Sequence, residues 1–205
     1  MQTVDFIAAE DTRVTVKLLK RLSIDKPMVS FNKGDFCKTE EEICEKILWG
    51  EDCALVSDAG MPCISDPGEK LVRICAENAV EIHAVPGPTA LTSALAISGL
   101  STGRFTFEGF LTVKKAGRYE HLLSLKDEKR TMIFYEAPKK LPETLMDMLK
   151  YFGNRKIAIV RELTKNNEEV IRTSLKQAAV KYADGSVKGE VVLIIEGFQQ
   201  SAEIL

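Results

Sequence analysis

Several features are scarce in this chain of 205 residues. No apolar run approaches the roughly 20 residues of a membrane span, so no membrane helix is expected. The opening Met1-Gln2-Thr3-Val4-Asp5 carries neither a basic nor an apolar segment; no secretory signal is read there and a cytoplasmic protein is expected. The five cysteines, Cys37, Cys44, Cys53, Cys63 and Cys75, are odd in number and form no Cys-x-x-Cys pair. That argues against a disulfide framework or a zinc site and favours reduced, buried thiols. His83 and His121 have no partners at metal-ligand spacing, so no metal is expected. Nor does one sign of charge dominate: 28 Lys and Arg against 30 Asp and Glu leave a formal net charge of −2. This excludes holding nucleic acid by bulk positive charge, although a local basic patch remains open. Repeats and low-complexity segments are also absent.

What is present is an ordinary globular composition, 45% hydrophobic, at a length that suits one large or two small domains. The pattern alternates apolar runs with helical periodicity. Phe6-Ile7-Ala8-Ala9, Cys53-Ala54-Leu55-Val56 and residues 191–195 read as buried strands of the parallel-sheet type, and residues 28–31, 81–85, 131–135 and 156–160 as further strands. Helices are expected over residues 14–22, 39–48 (capped by Thr39), 66–78 (capped by Asp66), 90–98 (between Thr89 and Gly99), 141–151 and 175–182. Phe105-Thr106-Phe107-Glu108-Gly109-Phe110 alternates, residues 113–118 read as a basic loop, and His121 opens a helical stretch. The texture changes after Gly99-Leu100, which sets a boundary between units 1–101 and 102–205.

In an open α/β sheet, ligands bind beyond the carboxyl ends of the strands. The segments Ser57-Asp58-Ala59-Gly60-Met61-Pro62 and Pro86-Gly87-Pro88 both follow apolar strands, and glycine in each permits close backbone approach. Neither is a Walker A or G-x-G-x-x-G loop, and two ordinary strand-to-helix turns are an equal reading. Glu10-Asp11-Thr12-Arg13, Tyr135-Glu136 and Arg161-Glu162-Leu163 also stand at strand ends. Their acids suit a proton acceptor or a ligand hydroxyl; salt bridges and caps are the plainer alternative. Lys114, Lys115 and Arg118, followed by Lys126, Lys129 and Arg130, suit either phosphate contact or a solvated surface.

These motifs, with Ile64-Ser65-Asp66-Pro67-Gly68, Phe107-Glu108-Gly109-Phe110-Leu111 and Gly189-Glu190-Val191-Val192-Leu193-Ile194, stand in an order that resembles the small-subunit ribosomal RNA methyltransferase I family of the tetrapyrrole methylases. The resemblance runs from about Asp5 to Gly197. It implies an S-adenosylmethionine-dependent enzyme that methylates a ribose 2′-hydroxyl of a cytidine in small-subunit ribosomal RNA. It also implies a homodimer and two α/β domains, a parallel-sheet N-domain and a mixed-sheet C-domain. Ser57, Asp58, Ala59, Gly60, Pro62, Pro86, Gly87 and Pro88 would line the cofactor site from the first domain, and Tyr135, Arg161, Glu162 and Leu163 from the second. Glu10, Asp11 or Glu136 would serve as base, Arg13 would fix a phosphate, and Lys114, Lys115 and Arg118 would contact RNA. The family opens with a strand and a Thr-Pro-Ile-Gly-Asn-type loop ahead of the segment matching residues 4–13, so a shortened first domain is expected. It also carries a His-rich acidic stretch where this chain has residues 31–36. Two other functions fit the same motifs: a non-catalytic homologue that keeps dimerisation or RNA contact, and a small-molecule methylase.

Overall fold

The first apolar run, β1 (Phe6–Ala9), is buried along its whole length at the centre of a three-stranded sheet. The computed structural model describes residues 1–31 and 36–200, in two compact units, Met1–Pro88 and residues 89–205. In the first unit β1 pairs in parallel with β2 (Met28–Ser30) on one side and β3 (Cys53–Val56) on the other. Successive side chains of a strand face opposite ways. Phe6 and Ala8 therefore join Phe31, Ile43, Cys44, Leu71 and Cys75 on one face, while Ile7 and Ala9 meet Leu19 on the other. Helix α1 (Thr12–Arg21) supplies Leu19; α2 (Phe36–Leu48) and α3 (Glu69–Glu77) cover the first face. Cys44 and Cys75 behave as small core residues, and burial pushes the Cys53 thiol up to about 11.

Three expectations for this unit change. Helix α2 begins at Phe36, so Thr39 lies inside it, and residues 32–35 of the His-poor stretch fall outside the described residues. Helix α3 begins at Glu69 with Gly68 as its cap, which leaves Asp66 and Pro67 in the preceding turn. Residues 81–85 form no strand: they run exposed, with Val85 83% accessible, and pair with no other strand among the described residues. A strand is held by its neighbours' hydrogen bonds, and apolar composition alone does not supply them.

The second unit is built on a five-stranded mixed sheet in the order β4-β5-β8-β6-β7. Its strands are β4 (Phe105–Phe110), β5 (Thr131–Glu136), β6 (Lys156–Arg161), β7 (Glu169–Ser174) and β8 (Val191–Ile195). Strands β4 and β5 are parallel; β8 runs antiparallel to both of its neighbours. One face carries α5 (Lys115–Ser124), α6 (Leu141–Phe152) and α7 (Leu175–Lys181), packed on Met132, Phe134, Ile157, Ile159 and Leu193. The other carries α4 (Ala90–Ser98), whose Leu91, Ala94 and Leu95 cover Ile133, Ala158, Val160, Val192 and Ile194. The parallel first sheet and mixed second sheet match the expected fold class.

Helix α4 is capped by Thr89 and stopped by Gly99 in the left-handed conformation, as its sequence requires. It packs on the second sheet, however, and Arg172 donates to the carbonyls of Ile97 and Ser98. The units consequently divide after Pro88, ahead of the expected boundary near residue 101. Strand β7 was not expected, and the expected 113–118 loop contributes the first turn of α5.

Candidate functional site

The carboxyl ends of β1 and β3 lie side by side, because Ala9 is in register with Val56. The chain that leaves each strand then interlocks. The backbone N–H of Glu10 donates to the Val56 carbonyl at 3.0 Å, and the Asp58 N–H donates to Glu10 Oε2 at 3.1 Å. Ser57 Oγ donates to the Gly60 carbonyl at 3.1 Å, and the Met61 N–H to the Pro88 carbonyl at 3.2 Å. Segments 10–13, 57–62 and 86–88, expected to act together, thus meet at one sheet edge. Asp58, Ala59, Gly60, Pro86, Gly87 and Pro88 are all exposed there. Glycine is required at the junction: Gly60 has φ +80°, and a Cβ on it would stand 3.0 Å from the Pro88 carbonyl oxygen. A Cβ on Gly87 would stand 3.3 Å from Met61 Sδ.

The acids of this edge are not equivalent. Asp11 caps α1 through the Arg13 N–H and holds the Arg13 guanidinium in a two-pronged pair, with contacts of 2.6 Å to Nη2 and 3.0 Å to Nε. That hydrogen-bonded cation holds the Asp11 carboxyl down to about 2, which makes Asp11 a weak proton acceptor. Glu10 accepts the Asp58 amide and has no cation bonded to it among the described residues, so it is the stronger candidate for a base. The Asp11–Arg13 contribution is complete above the ordinary aspartate value of 3.8 and is lost as pH falls toward about 2. In a carboxyl-carbon NMR titration, Asp11 should have its midpoint near 2, and Arg13→Ala should return it toward 3.8.

In the second unit, strand alternation separates two neighbours in the Tyr135-Glu136 motif. Tyr135 faces the α4 side, where its hydroxyl accepts the Leu91 N–H at 3.0 Å and its ring meets Phe107 and Phe110 edge-on. Leu163 packs in the same cluster. Glu136 faces the opposite way and is 5% exposed. Its Oε1 accepts the Ala137 N–H at 2.7 Å and its Oε2 the Thr144 hydroxyl at 2.5 Å. Glu136 ties the end of β5 to α6, so the expected base role does not suit its position. Arg161 bonds Glu169 and the Lys188 carbonyl. Glu162, at φ +51°, accepts the Glu190 N–H and the Lys165 ammonium, which hold its carboxyl below the usual range. Both anchor the loop after β6 to the start of β8.

Of the three expected RNA contacts, Lys114 and Lys115 are exposed at the start of α5. Arg118 is not: it is buried, with Nη2 2.5 Å from Glu143 Oε1 and 2.6 Å from Asp147 Oδ2, and it joins α5 to α6. The spacing of a basic cluster could not reveal which of its members the next helix would cover. Among the described residues no group of three His, Cys, Asp or Glu is placed to hold a metal ion, and no helix is long and apolar enough to cross a membrane.

A parallel α/β unit with interlocked loops at its strand ends, followed by a mixed-sheet α/β unit, defines a two-unit α/β protein. The chain belongs to the tetrapyrrole methylase family: the family model described as Tetrapyrrole (Corrin/Porphyrin) Methylases matches residues 1–179. It is accordingly a methyltransferase. Among its relatives, the ribosomal RNA small subunit methyltransferase I of Synechocystis sp. is 46% identical over 198 residues, covering 96% of this chain and 71% of that protein. The Thermotoga maritima protein of the same name is 43% identical and covers 96% and 88%. Among solved structures, the methyltransferase CobJ has a TM-score of 0.67 at 16% identity, over 95% of this chain and 83% of that one. A uroporphyrin-III C-methyltransferase from Thermus thermophilus, complexed with S-adenosyl homocysteine, has a TM-score of 0.60 at 17% identity, over 95% and 86%.

Proposed function

We propose that this chain methylates the ribose 2′-hydroxyl of a cytidine in small-subunit ribosomal RNA, acting as a cytoplasmic homodimer. The observation that carries the reading is the 40–46% identity, over nearly the whole chain, to proteins named ribosomal RNA small subunit methyltransferase I. The residues suit S-adenosylmethionine. Gly60 and Gly87 let segments 57–62 and 86–88 approach each other closely, and Asp58, Ala59 and Gly60 lie exposed at that junction. The exposed carboxylate of Asp58 suits its hydroxyls and its cationic sulfur. Ser57, Asp58, Ala59, Gly60, Pro62 and the 86–88 turn would hold it in the first unit.

Bound S-adenosylmethionine supplies an electrophilic methyl group. The chain's own part is to align the ribose oxygen with that carbon and to accept its proton. We assign the proton to Glu10, because Arg13 lowers the basicity of Asp11 and Glu136 is bonded into the β5–α6 junction. Titration calorimetry with S-adenosylmethionine and transfer of a labelled methyl to purified small subunits test the reading. Cofactor binding with ribose methylation of small-subunit RNA is expected. Glu10→Gln should lower single-turnover methylation at least about 100-fold with cofactor affinity retained. Binding without any transfer to RNA would overturn the substrate, and an intact rate in Glu10→Gln would overturn the base.

A further inference from the structure

The alternating run 105–110 would place Phe107 and Phe110 on opposite faces of a regular strand, since they are an odd number of residues apart. The structure prevents this with a bulge. The register of β4 on β5 shifts between Phe107 and Gly109, so Phe107 lies opposite Ile133 and Phe110 opposite Tyr135. Ile133 and Tyr135 share a face, and both phenylalanines therefore share it too. A bulge re-aims a side chain in this way at the end of a strand. The re-aimed ring is not hidden: Phe110 is 58% exposed, although it is held edge-on to Tyr135 with centroids 5.6 Å apart. An apolar ring held in place at a sheet end while remaining in water offers a flat face for a partner.

The surroundings specify the chemistry of that partner. Three residues beyond β4's end the chain passes exposed Val113, then Lys114 and Lys115. The neighbouring strand β5 leads through Pro138 to Lys139 and Lys140. The two parallel strands thus release four lysines at the end where Phe110 stands. Glu143 is the acid among them; it bonds Arg118 at 2.5 Å and lies 3.8 Å from Lys115. Lys114 and Lys139 are exposed, and neither has a carboxylate partner among the described residues. Lysines around an exposed aromatic ring suit a single strand of nucleic acid, whose bases stack and whose phosphates pair. An acidic protein would match the lysines but would leave the ring without a stacking partner.

We propose that Phe110 is a stacking platform for an unpaired base of the RNA substrate, with Lys114, Lys115 and Lys139 holding the flanking phosphates. The inference rests on the ribosomal RNA reading above and adds residues to it. Phe110 and Lys139 are positioning residues: they fix the strand's place on the second unit.

The test uses the full chain and a single-stranded RNA oligomer carrying 2-aminopurine, whose fluorescence falls when the base stacks. Wild type is expected to bind and quench the probe. Phe110→Ala should weaken binding about 10-fold and abolish the quenching, and Phe110→Trp should retain both. Lys114→Gln with Lys139→Gln should lower the slope of log affinity against log salt by about 1.4, with quenching retained at saturation. Cofactor affinity by calorimetry should be unchanged in Phe110→Ala. Equal affinity and quenching in Phe110→Ala, in a wild type that does bind RNA and methylate small subunits, would overturn this proposal alone. So would a parallel loss of cofactor affinity, which would place Phe110 in the cofactor site, or a change of oligomeric state with RNA binding intact. A wild type that neither binds the oligomer nor methylates small subunits would overturn the substrate reading and this proposal with it.

Discussion

Arg118→Ala should lower the melting temperature by about 6–12 °C, from a loss of roughly 3 kcal/mol at about 2–4 °C per kcal/mol for a chain of this size. The side chain is 3% exposed and its guanidinium bridges Glu143 and Asp147 of α6 from the middle of α5. Removing it leaves a cavity between the helices and strands the Asp147 carboxylate, which is itself only 13% exposed. Glu143 is half-exposed and regains water, so the loss falls at the lower end for a broken buried pair. Arg118→Lys keeps the charge but not the fork that reaches two carboxylates, and should lose less. Thermal unfolding followed by circular dichroism checks this, and an unchanged midpoint would mean that the arginine is held for a partner outside the unit. RNA affinity measured on Arg118→Lys should match wild type, in contrast to Lys114 and Lys139.

Gly68→Ala should cost about 2–3 kcal/mol through two effects that act together. Gly68 caps α3 at φ +130°, which L side chains rarely adopt. A Cβ there would also lie 2.5 Å from Leu55 Cδ2 and 2.6 Å from Cys63 Sγ, so β3 or the 57–65 loop must shift. Leu55 stands one residue before the end of β3, where the proposed cofactor loop begins. S-adenosylmethionine affinity should therefore fall together with the melting temperature. Gly50→Ala is the control: its φ is +99° but a Cβ would meet nothing within 4 Å, so only the smaller backbone strain applies. Equal losses at the two positions would show that packing against Leu55 and Cys63 contributes nothing.

The residues of the candidate site were legible in sequence wherever backbone chemistry determined them. Gly60 and Gly87 announce close backbone approach, and the structure sets both within reach of the facing segment. What each acid does was not legible. Glu10, Asp11 and Glu136 look alike on the page, yet one accepts an amide, one is held by Arg13, and one is turned inward to Thr144. Those differences come from neighbours up to 48 residues away in sequence.

By itself the sequence determined the elements that local physics can hold. The short apolar runs of β1, β3 and β8 follow from composition, and α4 follows from Thr89 at one end and Gly99 at the other. Only the tertiary structure decided that residues 81–85 have no strand to pair with, that α4 belongs to the second sheet, and that a bulge brings Phe110 beside Phe107. It also decided that Arg118 is buried while Lys114 is exposed. The physical reason is the same in each case. A cap or an apolar period is satisfied within a few residues, whereas a ladder bond, a covering helix or a register shift depends on a segment distant in sequence.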